Sequence, residues 1–121
     1  WCVEQYGLIR TSALLKTELQ AGYFGKDKAM LAELALLGRF VHVPEPLFVN
    51  RDHAGRSMRA VSFLNRERFH DPNHPGPRVT QWAQYTNYCR AVRRLVHDRD
   101  EALRCYSKLA RWWFSNAHAA R

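Results

Sequence analysis

The chain has 121 residues, 46% of them hydrophobic and 25% charged, with a formal net charge of +8. That length bounds it to one domain or a piece of a larger one, and that composition excludes a disordered chain. No charge-free run approaches the roughly 20 apolar residues of a membrane span, and the basic excess favours a negatively charged partner: nucleic acid, an anionic membrane surface or a phosphorylated substrate.

In chain order, residues 5–10 read as a short strand. A helix from Ala13 to about Glu18 follows, with Thr11 or Ser12 as its hydroxyl cap. Residues 22–25 form a glycine-bounded loop around Tyr23 and Phe24. Asp27 then starts a helix whose apolar positions, Met30, Leu31, Leu34, Ala35 and Leu37, cover most of its circumference, so it is expected to be buried on more than one side. Gly38 reads as its left-handed C-terminal stop. Phe40–Val43 and Leu47–Arg51 read as strands, rich in β-branched and aromatic residues and separated by Pro44-Glu45-Pro46, which places the pair at a sheet edge or a bend.

After His53 the chain turns basic and irregular. The stretch "HDPNHPGPR", residues 70–78, holds three prolines and one glycine and reads as a loop. From residue 79 to about Val96, Trp82, Tyr85, Tyr88, Cys89, Val92, Leu95 and Val96 recur at helical spacing. Asp98 caps a last helix with Ala102, Leu103, Tyr106, Leu109, Ala110, Trp113 and Phe114 on one face and Arg104, Lys108 and Arg111 on the other. Matched stripes and a short connection predict an antiparallel helical hairpin. Cys2, Cys89 and Cys105 are too scattered for a zinc knuckle and odd in number for a disulfide framework, so they read as reduced cytosolic thiols packed as small hydrophobes.

The inventory is unbalanced: about three strands, none with an adequate set of partners, beside a helix that is apolar nearly all round. The chain opens mid-pattern at Trp1 with no leader, and the expectation is that an N-terminal half precedes it.

Two runs, "YGLIRTSAL" and "GKDKAMLAELALLGRFVHVPEPLFVNRDHAGRS", resemble the C-terminal half of a bacterial family 2 glycosyltransferase with the GT-A, nucleotide-diphospho-sugar transferase fold. The likeness covers about the first half of the chain. It implies an α/β fragment with few strands: residues 1–60 on the acceptor side of the catalytic domain, 61–78 as a proline-rich linker, and 79–121 as a helical hairpin extension. It implies transfer of a sugar from a nucleotide-sugar donor to an acceptor hydroxyl. The base role falls to Asp27, since a carboxylate within hydrogen-bond reach can take the acceptor's proton. A plain helix cap is the competing role for that side chain. Lys26 stands where family members often carry a second acid, and together with Arg10 it is an acceptor-side candidate.

His53 is placed near the donor diphosphate and its Mg²⁺ or Mn²⁺ as a metal ligand, with Arg51, Arg56 and Ser57 as phosphate contacts. The Asp-x-Asp metal motif belongs to the other half of the fold. Asp98-Arg99-Asp100 has that spacing but reads as capping, so the isolated fragment is expected to hold no metal and to be inactive. The location implied is cytoplasmic, or peripheral to the inner face of the membrane.

The alternative is a basic helical interaction module. Trp112, Trp113 and Phe114 among cations suit an anionic membrane surface, and the same helices could pair with a partner protein or in a homodimer. Nucleic acid is disfavoured: Arg90, Arg93 and Arg94 are basic, but Tyr85 and Tyr88 fall on the apolar stripe. His70, Asp71 and His74 make a poor metal set in a proline-rich loop.

Overall fold

The computed structural model describes residues 3–19, 25–51, 53 and 80–117. The linker at 61–78, the loop at 22–24, Cys2, Arg56, Ser57, His70, Asp71 and His74 lie outside them. The described elements are a 3-10 turn at Val3–Tyr6 and four helices: α1 (Thr11–Leu14), α2 (Lys26–Leu37), α3 (Thr80–Leu95) and α4 (Arg99–Ala117).

The expected α/β fragment of a GT-A fold is therefore corrected: the described residues are helical and contain no strand. Residues 5–10 form no strand: the first two end the 3-10 turn Val3–Tyr6, which the Gly7 N–H closes on the Glu4 carbonyl (3.1 Å), and 8–10 have no regular structure. Residues 39–51 carry strand-like sequence and run without regular structure, with the Leu47 N–H bonded only to the nearby Glu45 carbonyl (2.9 Å). A strand exists only by virtue of a neighbour's ladder, and no described segment offers one.

Three end signals also differ. Thr11 lies inside α1, whose cap position is Arg10 with no side-chain bond, so neither hydroxyl expected there caps the helix. The turn after α1 is closed instead by Thr17, whose hydroxyl donates to the Leu14 carbonyl (2.7 Å) and accepts from the Leu19 N–H (3.2 Å). Gly38 has φ 176°, extended backbone open to any residue, and is not a left-handed stop. The left-handed glycine is at the other end of α2: Gly25, φ 84°, where a Cβ would run into the Gln84 side chain.

The helical body is built on α3. Helix α2 packs on one side of it and α4 on another, while α1 and the 3-10 turn rest on α2. Met30 and Leu34 of α2 and Ala91 and Val92 of α3, two helices that pack on each other, are the buried apolar residues described. Tyr88 stacks edge-on against Trp112 (5.4 Å), while Trp82 and Tyr85 meet Trp113 (5.3 and 5.1 Å). The Gln81 side-chain amide donates to the Asn116 carbonyl at 3.5 Å. Early α3 thus faces late α4, so the two helices are antiparallel, and Asp98 Oδ1 accepts the Glu101 N–H (2.8 Å) to cap α4.

The inward face of α4 is rotated from the expected one. Leu103, Tyr106 and Phe114 are exposed, while Cys105, Leu109, Trp112 and Trp113 turn toward the body. Trp112 and Trp113 set this face, each ring packing against aromatic side chains of α3.

One polar cluster ties the pieces together. Glu33 is 5% exposed on α2, and its carboxylate accepts from the Arg94 guanidinium of α3 and from the Glu18 N–H (2.7 Å). Arg94 also donates to the Lys16 carbonyl. One buried acid thereby joins α2, α3 and the turn after α1, and both of its oxygens are satisfied.

Candidate functional site

Asp27 is the second residue of α2, with Gly25 as the cap position and Lys26 as the first helical residue. Gly25 rather than Asp27 holds the cap position, so the carboxylate is not the helix's N-cap. Asp27 is half-buried and has no hydrogen-bond or ion-pair partner among the described residues. The dipole of a 12-residue helix favours negative charge at this end, so the side chain is held where its charge is welcome but unclaimed.

Two features fix that helix end. Gly25 takes a left-handed conformation that side chains resist, and its bare Cα lets the Gln84 amide of α3 come close. Gln84 is 7% exposed and has no hydrogen-bond partner among the described residues. A buried amide without partners is rare in native proteins, and it leaves both donor and acceptor capacity close to the first turn of α2. Sequence reasoning missed Gln84, which reads as one polar residue between Trp82 and Tyr85; only its position on the inward side of α3 could have signalled it.

None of the other expected site residues that are described bonds to Asp27, and Arg56 and Ser57 lie outside the described residues. Lys26 is its neighbour on the same turn, half-buried. Arg10 is exposed ahead of α1, where its carbonyl accepts the Ala13 and Leu14 N–H groups (2.9 and 3.0 Å). Arg51 and His53 are exposed at the end of the 39–51 segment. Among the described residues no three His, Cys, Asp or Glu side chains gather as a metal site, and His53 has no such companions among them. The described residues alone supply no ligand set for the implied ion, and no chemical step is routed through one.

The basic cluster on α3 is largely spoken for. Arg94 serves Glu33, and Arg90 donates to Asn87 Oδ1 (2.9 Å) and pairs with Glu18 at 3.6 Å. Tyr85 has its phenol raised above the usual tyrosine range by a hydrogen bond with Cys89, by the charge of that thiol, and by burial. No helix among the described residues is long and apolar enough to cross a membrane.

Comparison of the chain with protein families, curated proteins and solved structures returns no match.

Proposed function

We propose that this chain is the acceptor side of a sugar-transferring enzyme, in which Asp27 takes the proton of the entering hydroxyl. The observation that carries the reading is the Asp27 carboxylate, fixed on the first turn of α2 and engaged by no other described group. The order of residues from Gly25 to Ser57, similar to family 2 glycosyltransferases, supplies the reaction class. In that reaction the acceptor oxygen gives its proton to Asp27 and attacks the anomeric carbon. The bond from that carbon to the diphosphate breaks, and its electron pair leaves with the nucleoside diphosphate. A positioned base contributes about 10²- to 10⁴-fold to such a step. Gln84 supports the reading as an amide able to give and accept hydrogen bonds beside a polyol. The chemistry belongs in the cytoplasm, where nucleotide sugars are the donors.

The test is nucleoside diphosphate release by the protein at its natural full length, across UDP-, GDP- and dTDP-hexoses with a mixed hydroxyl acceptor pool. Acceptor-dependent release that Asp27→Asn lowers at least 100-fold, with the unfolding midpoint unchanged, supports the proposal. Absence of turnover with every donor, or full activity in Asp27→Asn, overturns it.

A second reading, a module that rests on an anionic surface, is favoured by Leu103, Tyr106 and Phe114 exposed along α4 near Arg111. Flotation with anionic but not neutral vesicles would favour it over sugar transfer.

A further inference from the structure

We propose that the groove between α2, α3 and α4 binds a single-chain amphiphile with an anionic head group. The groove has a volume of about 430 Å³, within the range of about 300–1,000 Å³ typical of small-molecule sites. Its floor is Ala91 and Val92 of α3, its walls are Ala32 and Leu36 of α2 facing Cys105 and Leu109 of α4. The two alanines create the space, since larger side chains at 32 and 91 would fill it. Neither Asp27 nor Gln84 lines the groove, so the inference stands apart from the proposed sugar transfer.

Charge and size select the occupant. The charged lining residues, Glu101, Arg104 and Lys108, are all exposed and form the rim. Arg104 and Lys108 lie four residues apart on one face of α4, and neither has an ion-pair partner among the described residues. Two cations against one carboxylate leave the rim positive. The apolar floor gives a free phosphate or a nucleotide little to bond with, whereas an alkyl chain gains about fourfold in affinity per buried methylene. A partner helix is about 10 Å across, and a single turn of it already occupies roughly the groove's volume. The space therefore suits an alkyl chain lying over Ala91 and Val92 with its anionic head at Arg104 and Lys108.

The probe is decyl phosphate, kept below its critical micelle concentration and titrated calorimetrically into the full chain. Alkylation of each cysteine is followed in parallel by peptide mass spectrometry. The expected result is saturable one-to-one binding that slows modification of Cys105, a lining residue, at least fivefold and leaves Cys89, which does not line the groove, unchanged. Octyl phosphate, shorter by two methylenes, should bind roughly sixteenfold more weakly. Arg104→Glu with Lys108→Glu should weaken decyl phosphate at least tenfold, and because both side chains are exposed the fold should survive, as circular dichroism would verify. Ala32→Leu, which fills the groove without touching the rim, is the independent second variant and should also abolish binding. Equal binding of decanol or decyltrimethylammonium overturns the proposal, as does unchanged alkylation of Cys105. Protection of Cys105 by anionic vesicles alone, without binding of the monomer, would reassign the groove to a membrane surface and overturn it too.

Discussion

The helices and the segment from Arg39 to Arg51 are built from similar residues and reach opposite ends. In α2 and α3, Met30, Leu34, Ala91 and Val92 are buried. In the segment, Phe40, Val41, Val43, Leu47, Phe48 and Val49 are all more than half exposed, with Phe48 stacked on the ring of Tyr6 (5.1 Å). The helices satisfy their own backbone before they pack, so a modest set of contacts suffices to bury a stripe. An extended segment has no internal partners for its N–H and C=O groups and needs a neighbour first. Apolar content alone does not bury a chain; backbone satisfaction decides which apolar residues can be buried.

That contrast can be broken most strongly at Glu33. Glu33→Ala leaves the Glu18 N–H without its partner and Arg94 with only the Lys16 carbonyl and the Glu18 carboxylate, and urea unfolding should show a loss of about 2–3 kcal/mol. A loss below about 0.5 kcal/mol would mean that the helical body does not depend on this cluster. A smaller effect is expected at Gly25→Ala, which forces a Cβ into left-handed backbone and onto Gln84; about 1–2 kcal/mol should be lost. Since that end of α2 carries Asp27, the same variant should depress any sugar transfer by more than its stability loss explains. The smallest effect belongs to the exposed segment. Val41→Ser with Val49→Ser should change stability by less than about 0.5 kcal/mol, because both side chains are already in water. A loss above about 1 kcal/mol in the same urea titration would show the segment packed in solution and erase the contrast.

What could be read in advance follows the same division. Helices α3 and α4 were legible because a 3.6-residue repeat and an Asp98 cap are local signals, present within about 15 residues of one another. The extent of α2 was legible for the same reason, although Gly25 rather than Gly38 proved to be its left-handed glycine. The strands were misread because β-branched composition signals suitability for a sheet and says nothing about whether a partner is present. Glu33 with Arg94 was illegible: the two lie 61 positions apart, and each looks like a solvated charge in its own window. The same holds for Arg104 and Lys108, expected on a plain outer face, whose role at the groove rim depends on how the tryptophans rotate α4. Asp27 was singled out by chemistry and resemblance, while the freedom of its carboxylate and the buried amide of Gln84 emerged only from packing between distant helices.

The Pro44-Glu45-Pro46 interruption has a further consequence for the chain's behaviour at high concentration. Stacking of identical segments into a cross-β spine requires about six consecutive residues able to donate and accept along the fibril. Here the apolar run is cut into Phe40–Val43 and Leu47–Arg51, neither of that length, by two residues that have no N–H to offer and a carboxylate between them. The segment can thus remain exposed and ready for a neighbour while resisting self-templated growth, so replacing both prolines should shorten the lag before thioflavin-positive aggregates form.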